Sequence, residues 1–236
     1  MKLLNLPNII TCCNLLCGCL AIFFGLNGEV GVACGCIIFG AVFDFFDGMT
    51  ARALHISGPI GKELDSLADA ITFGVAPSVL CYHILISYHP SSVYVPLAAF
   101  VMAAFSALRL AKFNCDERQS LSFIGMPTPA NALLWIGLVY VNQIETVHSV
   151  LSGGVFLGIM LVCCYLLICE LPMFSLKIKP GHMGFAENSV RYIFLMLCVV
   201  ILIVSGICGL ASLMASPALI IILYILFSLF SAKTAK

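Results

Sequence analysis

The chain has 236 residues, of which 62% are hydrophobic and only 9% are charged, and its mean hydropathy is +1.13. This composition is far more apolar than that of an ordinary soluble domain, and it predicts a polytopic membrane protein. The formal net charge is zero, which leaves no basic surface for binding nucleic acid.

The N-terminal residues and the cysteines give two further expectations. The stretch from Met1 to Pro7 carries one lysine and continues directly into an apolar run, which predicts no cleavable secretory signal. The thirteen cysteines lie mostly within apolar runs and form no Cys-x-x-Cys pair of the zinc-binding type. We expect small, reduced, buried side chains rather than disulfides.

Membrane-spanning helices need about 20 mostly apolar residues. Several runs approach this length and are separated by turn residues such as Asn27-Gly28 and Lys179-Pro180-Gly181. The sequence therefore predicts an all-α polytopic bundle of about eight transmembrane helices, forming a single domain over residues 1–236. The fifth predicted span is the shortest, and the eight run approximately over 8–26, 30–50, 64–87, 93–113, 129–143, 150–170, 189–207 and 212–231.

Basic residues predict how this bundle is oriented, because Lys and Arg in short loops accumulate on the cytoplasmic side. With eight spans and the N-terminus inside, all eleven Lys and Arg residues fall in cytoplasmic segments or at adjoining helix ends. The opposite loops, near Asn27, His89, Glu145 and Gly206, receive none. We therefore expect both termini, and the connection between the second and third spans, to face the cytoplasm.

Four aspartates flank that connection: Asp44, Asp47, Asp65 and Asp69. Their spacings of three and four residues place each pair on one face of a helix. Aspartate is costly near hydrocarbon, so grouped carboxylates beside membrane helices mark an ion or substrate site. Magnesium or manganese suits such an oxygen-rich site, particularly where substrate phosphates complete the coordination shell.

The residues between these aspartates suit a phosphorylated ligand. Gly48 leaves open space beside Asp47, and Gly58 and Gly61 loosen the connecting loop so that a bulky ligand can approach the backbone. Arg52 adds a planar cation suited to phosphate or to balancing the carboxylates.

This segment resembles the signature of the CDP-alcohol phosphotransferase family, which reads Asp-x-x-Asp-Gly-x-x-Ala-Arg, a short gap, then Gly-x-x-x-Asp-x-x-x-Asp. Members are multi-span membrane enzymes that move a phosphate-linked group from a CDP-linked donor to an alcohol and release CMP. They are commonly homodimers, so the resemblance implies a homodimer, placed in a prokaryotic cytoplasmic membrane. The signature is carried without departure by Asp44, Asp47, Gly48, Ala51, Arg52, Gly61, Asp65 and Asp69.

The resemblance implies a role for each matching residue. Asp44, Asp47, Asp65 and Asp69 would hold one or two Mg²⁺ or Mn²⁺ ions against the donor diphosphate, and Asp69 would also be the general base. The opening of the first helix, Leu6 to Thr11, likewise looks like the family's. The residues implied to contact the nucleotide are Asn8, Thr11, Gly48, Ala51, Arg52 and Gly61.

The residues alone leave an alternative for the first helix, in which Asn8 caps it and Thr11 bonds its own backbone.

The alcohol acceptor is indicated by segments 109–114 and 123–130, which resemble family members that use CDP-diacylglycerol as donor and L-serine as acceptor. With the signature, the resemblance covers roughly the first 135 residues. It implies that Arg109, Asn114 and Thr128 contact the acceptor. The alternatives are that Arg109 anchors the helix at lipid phosphates and that Thr128 is a local cap.

Two other functions stay open from the sequence. A sibling transferase with inositol phosphate or glycerol phosphate as acceptor would recruit Arg109, Lys112 and Arg118 to bind the extra phosphate. A cation transporter would place its aspartates near the bilayer midplane within repeated halves. The aspartates here occur once and cluster towards one face, which favours the transferase.

Overall fold

The computed structural model describes residues 4–56, 58–116, 124–173 and 185–234, with the side chains of 185–190 and 231–234 left out. These parts of the chain are mainly helical. Their β-type pairing is limited to one isolated bridge between Ile124 and Pro172. The predicted all-α class is therefore confirmed. Several basic residues used for the orientation lie outside the described side chains: Lys2, Arg118, Lys177, Lys179, Lys233 and Lys236.

A π-helical segment joins α3 to α4, and a 3₁₀ turn joins α5 to α6. The helices are α1 Leu6–Leu26, α2 Val30–Ala53, α3 Pro59–Asp69, α4 Ala76–Tyr88, α5 Tyr94–Leu97, α6 Val101–Cys115, α7 Thr128–Asn142, α8 Glu145–Val150, α9 Gly153–Ile168, α10 Phe185–Cys208 and α11 Leu210–Thr234.

Six helical segments of the described chain are long and apolar enough to cross a membrane, which makes this a multi-pass membrane protein. The fifth and sixth predicted spans correspond to α7 and α9, of 15 and 16 residues. At 1.5 Å per residue, each is shorter than the roughly 30 Å hydrocarbon core. The count of eight stays a prediction. The six segments are Leu6–Leu26, Val30–Ala53, Pro59–Tyr88, Tyr94–Cys115, Arg191–Cys208 and Leu210–Phe230.

Both short helices nevertheless connect the same two ends of the bundle as the longer ones. Met126, just before α7, accepts a hydrogen bond from Arg109 near the end of α6, whereas Asn142 at the other end of α7 bonds the Tyr88 hydroxyl. α9 begins at Gly153, which packs against His89. At the other end of α9, the Ile168 carbonyl accepts a hydrogen bond from Lys112. Asp69 lies near Arg109, so we call the end that contains Arg109 and Lys112 the aspartate end.

The π-helical segment, Ala70–Val75, follows Asp69 directly. Pro77 has no N–H to donate to the preceding turn, and the Ser78 hydroxyl bonds the Gly74 carbonyl at 2.8 Å. A proline beside a widened turn is a recognised cause of such irregularity, and π-segments occur often at functional sites. The wider turn rotates the side chains of α4 about the helix axis relative to those of α3.

Two glycines allow α1 and α2 to pack closely against this segment. A Cβ at Gly40 of α2 would lie 2.5 Å from Thr72 Cγ2, and one at Gly18 of α1 would overlap the Thr72 hydroxyl. Thr72 is fully buried between the two helices. The contact fixes α1, α2 and the π-helical segment in one arrangement.

The apolar core is built mainly from α2, the π-helical segment, α4, α7 and α9, and its largest buried side chains include Trp135, Phe73 and Phe156. α11 packs against α7 where Gly137 leaves space for the Ala218 backbone. α10 packs mainly on α11, and only 11% of its apolar segment Arg191–Cys208 is buried. Much of α10 therefore presents apolar side chains to its surroundings, as expected for a helix in lipid.

Two details of the prediction need correction. The turn between α10 and α11 forms at Gly209, with φ of +113°, because α10 continues through the loop expected near Gly206 to Cys208. All thirteen cysteines are free, as expected, but only four are buried. An apolar span can expose a thiol to lipid, so an apolar run does not imply burial within the protein. The four buried cysteines are Cys34, Cys81, Cys163 and Cys164.

Candidate active site

The first helix presents a polar stripe to the site. Asn5 caps α1 by accepting the Asn8 N–H at 2.9 Å, so the cap is Asn5 rather than Asn8. Pro7 stands in the first turn, where its missing N–H costs nothing. Asn8, Thr11 and Asn14 follow at intervals of three residues and are all buried. One face of α1 therefore carries three amide or hydroxyl groups towards α2 and α3.

Three carboxylates converge opposite this stripe. Asp44 and Asp47 of α2 and Asp65 of α3 offer oxygen atoms that all lie within 4.8 Å of one another. Asp44 also lies within hydrogen-bonding reach of both Asp65 and Asp69. The structure thus brings together the four aspartates singled out in the sequence.

This donor set fits a divalent cation. Carboxylates at hydrogen-bonding distance repel strongly unless a proton or cation lies between them, and the repulsion grows as water is excluded. Asp47 is only 4% exposed. Oxygen-only ligands from Asp44, Asp47 and Asp65 match what Mg²⁺ and Mn²⁺ accept, with positions left for substrate oxygens.

Two of the aspartates are held by the α1 stripe. The Thr11 hydroxyl donates to Asp47 Oδ2 at 2.6 Å, and the Asn14 amide donates to Asp69 Oδ1 at 3.3 Å. The Thr11 oxygen also lies 3.0 Å from the Pro7 carbonyl, which is the backbone contact of the alternative reading. The nucleotide contact of Thr11 stays a prediction. Successive turns of α1 therefore orient one carboxylate on α2 and one at the end of α3.

A cavity of about 430 Å³ opens beside the triad. Its walls come from the start of α1, the end of α2 and the start of α3. A cavity of this size accommodates a nucleotide-sized group. The lining residues are Asn5, Pro7, Asn8, Thr11, Asp47, Gly48, Ala51, Ile56, Gly58, Ile60, Gly61, Lys62 and Asp65.

Five of the six predicted nucleotide contacts line this cavity, and the exception is Arg52. Its guanidinium lies alongside Gly48, with Nη1 3.8 Å from where a Cβ would stand, and the side chain is exposed. At Gly61 a Cβ would come within 3.3 Å of Asn8 Oδ1. Glycine at position 61 thus permits the close approach of α3 to α1.

Arg109, in α6, lies near Asp69 and does not line this cavity. Its side chain is only 5% exposed, and Nε donates to the Met126 carbonyl at 3.1 Å. The guanidinium lies 5.1 Å from the Phe113 ring centroid and near enough to Asp69 for electrostatic interaction. Its Nη2 atom is buried without a hydrogen-bond partner. A buried cation with a free donor beside a carboxylate is suited to an anionic ligand group.

α7 continues this polar region. Thr128, Asn131 and Trp135 share one face of the helix, are fully buried, and have side-chain atoms without hydrogen-bond partners. Asn131 is unpaired at both its amide nitrogen and its oxygen. Buried polar atoms are almost always bonded to protein, water or ligand. The start of α7 thus offers donors and an acceptor to a small polar molecule.

The other predicted acceptor residue, Asn114, already has protein partners. Its side-chain amide donates to the Ser66 hydroxyl at 2.7 Å, and its backbone carbonyl accepts a hydrogen bond from Lys62 Nζ at 2.8 Å. These bonds tie the end of α6 to α3, at Ser66 between Asp65 and Asp69 and at Lys62 one turn earlier. Lys112 is likewise engaged, with Glu170 at 3.6 Å and the Ile168 carbonyl at 3.3 Å.

Sequence reasoning missed two residues that the structure places at the site, Asn14 and Asn131. Each stands three residues after a threonine that was predicted, Thr11 and Thr128 respectively. This spacing continues the same helix face. A search for amides in register with the predicted contacts would have found both.

A family model described as CDP-alcohol phosphatidyltransferase matches residues 4–168. The match includes α1 to α9 and every site residue above, and it ends before α10 and α11.

Several relatives carry the name CDP-diacylglycerol--serine O-phosphatidyltransferase. The Bacillus subtilis protein is 43% identical over 124 residues, covering 52% of this chain and 69% of the relative. The Helicobacter pylori strain 26695 protein is 34% identical over 164 residues, covering 66% and 68%. The Methanocaldococcus jannaschii protein is 31% identical over 161 residues, covering 68% and 72%.

Proposed function

The chain belongs to the CDP-alcohol phosphatidyltransferase family, and on that premise we propose that it transfers the phosphatidyl group of CDP-diacylglycerol to the hydroxyl group of L-serine. The products are phosphatidylserine and CMP. The observation that carries this proposal is the convergence of Asp44, Asp47 and Asp65 within 4.8 Å, beside a nucleotide-sized cavity and within a membrane bundle. Relatives that carry the name of this activity support the choice of donor and acceptor.

The donor is held at the meeting of α1, α2 and α3. The cytidine and its ribose occupy the cavity, where Gly48, Ala51 and Gly61 present little side-chain bulk. The diphosphate lies at the Asp44–Asp47–Asp65 triad, and Arg52 approaches it from the exposed side. The acyl chains extend along the apolar helix faces into lipid.

The reaction is an in-line displacement at the phosphorus that carries the diacylglycerol. A divalent ion held by Asp44, Asp47 and Asp65 would neutralise the diphosphate and the leaving CMP. Asp69 takes the proton of the serine hydroxyl as its oxygen bonds to phosphorus, and the bond from phosphorus to the CMP oxygen breaks. Asp69 thus acts as general base at the boundary between donor and acceptor.

The acceptor occupies the region between Asp69 and the start of α7. Arg109 Nη2 binds the serine carboxylate, and Thr128 and Asn131 orient the ammonium and hydroxyl groups. Among described residues near this region, Arg109 is the buried cation, and Lys112 is paired with Glu170. One buried cation with a free Nη2 donor matches a singly charged carboxylate better than the doubly charged phosphate of glycerol phosphate or inositol phosphate.

The remaining parts of the proposal concern setting. The metal is Mg²⁺ or Mn²⁺, the aspartate end faces the cytoplasm, and the enzyme works as a homodimer in a prokaryotic cytoplasmic membrane. The cytoplasmic orientation follows from the distribution of Lys and Arg. It also gives soluble serine and CMP direct access to the site.

A direct assay tests the function. Purified protein is given CDP-diacylglycerol and Mg²⁺ or Mn²⁺ with serine, glycerol phosphate or inositol phosphate, and CMP release and the lipid product are measured. We expect phosphatidylserine with serine alone. CMP release with a phosphorylated alcohol but not with serine would replace the acceptor, and no CMP release with any alcohol would remove the function.

A further inference from the structure

Beyond the metal triad and the general base, the structure assigns a positioning role to Asn14, which fixes the orientation of the Asp69 carboxylate so that one oxygen faces the acceptor alcohol. This inference rests on the proposed function, since it concerns the base of that reaction. Asn14 lies outside the family signature that identified the aspartates.

The contact between the two residues is direct and buried. Asn14 is fully inaccessible, and its Nδ2 donates to Asp69 Oδ1 at 3.3 Å. A carboxylate only accepts hydrogen bonds, so the amide must present its nitrogen rather than its oxygen to Asp69. This bond engages Oδ1 and fixes the plane of the carboxylate, which keeps Oδ2 in one orientation.

The surroundings hold Asn14 in this orientation. The Thr72 hydroxyl donates to the backbone carbonyl of Asn14 at 3.0 Å, which fixes the Asn14 backbone and ties α1 to the π-helical segment after Asp69. On the opposite side, a Cβ at Gly40 would lie 3.0 Å from Asn14 Oδ1, so α2 packs directly over the amide oxygen. The amide therefore has little freedom to turn away from Asp69.

The base has an amide partner as well as its contact with the metal ligands. Asp69 lies within hydrogen-bonding reach of Asp44, a member of the triad, and also accepts a hydrogen bond from the Asn14 amide of α1. A base of this kind depends on orientation, because displacement of a reacting group by about 1 Å lowers rates by orders of magnitude. Loss of the amide should therefore reduce turnover more than it reduces donor binding.

Asn14→Leu tests this role, because leucine has a similar volume and no donor. With serine, CDP-diacylglycerol and Mg²⁺, we expect kcat to fall about 10- to 100-fold, while metal-dependent binding of CDP-diacylglycerol stays within about threefold. The control is Asn142→Leu, which removes a buried amide that bonds Tyr88 at the opposite end of the bundle. Its kcat should stay within about threefold of wild type.

A double variant separates positioning from a general structural effect. If Asn14 acts through Asp69, Asn14→Leu in an Asp69→Asn background should leave the residual CMP release unchanged. A further fall similar to that of the single variant would contradict the positioning role. Thr72→Val provides a second, milder perturbation that should lower kcat, whereas Thr72→Ser keeps the donor and should not.

These outcomes are distinct from failure of the proposed function. If wild-type protein makes no phosphatidylserine in this assay, the function is wrong. If wild type is active and folded Asn14→Leu has a normal kcat, or if its kcat falls only in proportion to donor binding, the positioning role is wrong. Thermal melting in detergent shows whether each variant is folded.

Discussion

At the scale of single residues, the site divides into groups that hold charge and groups that orient it. The triad of Asp44, Asp47 and Asp65 concentrates negative charge that only a cation or a proton can balance. Thr11 and Asn14 do not add charge, but each fixes one carboxylate through a hydrogen bond. Substitutions in the two groups should therefore fail in different ways.

We expect Asp44→Asn or Asp47→Asn to weaken binding of the metal and the nucleotide. Removing one charged ligand should raise the metal concentration for half-maximal activity by on the order of tenfold or more, because affinity follows the number of charged ligands. Titration of CMP release with Mg²⁺ and with Mn²⁺ measures this shift. Unchanged metal dependence in both variants would exclude these residues as ligands.

Asp69→Asn should instead abolish turnover while preserving more of the binding. Removal of a general base typically costs about 10²- to 10⁴-fold in rate. The comparison requires kcat and the equilibrium binding of CDP-diacylglycerol in the same preparation. Near-normal turnover in Asp69→Asn, alongside Asp44→Asn and Asp47→Asn, would remove the mechanism.

Arg109→Lys tests the acceptor side, since it retains a positive charge but loses the planar geometry and the Nε donor to Met126. We expect KM for serine to rise about 10- to 100-fold, corresponding to a charged hydrogen bond worth about 1.5–3 kcal/mol. Binding of CDP-diacylglycerol should hardly change. The matched control is Lys112→Gln, which breaks a half-exposed pair with Glu170 and should alter KM for serine less than about fivefold.

At the scale of helices, the active site depends on close packing between α1, α2 and the π-helical segment. The glycines at 18 and 40 admit Thr72 between the two helices, and Thr72 in turn bonds the Asn14 backbone. Small residues at helix contacts are a general means of close packing in membranes. The position of the base therefore depends on helix packing as well as on its own side chain.

Gly40→Ala should lower stability and turnover together. Its Cβ would lie 2.5 Å from Thr72 Cγ2, and overpacking of this kind typically costs about 1–3 kcal/mol. Gly35→Ala is the control in the same helix, because a Cβ there meets nothing within 4 Å. That variant should be neutral or gain about 0.5–1 kcal/mol from helix propensity. Thermal melting and kcat measure both, and equal behaviour would contradict the packing argument.

At the scale of the whole molecule, the sequence predicted what depends on composition and local spacing. Hydropathy located the helices, and the signature located all four aspartates and five of the thirteen residues that line the cavity. Residues whose roles arise from contacts between helices were not predictable in this way. Asn14 meets Asp69 only because α1 crosses the end of α3, and Asn114 bonds Ser66 because α6 reaches the same point.

Helix count was harder to predict, because apolar length alone does not define a crossing. α7 and α9 are short, yet their ends contact both ends of the bundle. If both helices cross, extended segments complete the distance, as in 124–127, where the Gly125 and Met126 amides bond the Leu171 and Leu166 carbonyls. Contacts at both ends of the bundle favour a crossing that the length of the helix alone would not predict.

The topology itself can be tested by labelling with a membrane-impermeant maleimide. In a variant that keeps Cys115 as its single cysteine, this residue at the aspartate end should react in inside-out vesicles and not in intact cells, since this end is proposed to face the cytoplasm. Glu145→Cys, between α7 and α9, should react in intact cells if both short helices cross. Both positions are exposed in the structure.

If Glu145→Cys reacts only in inside-out vesicles, like Cys115, then α7 and α9 do not cross and the bundle has six spans. Reaction of Cys115 in intact cells would reverse the orientation and place the aspartates outside the cytoplasm.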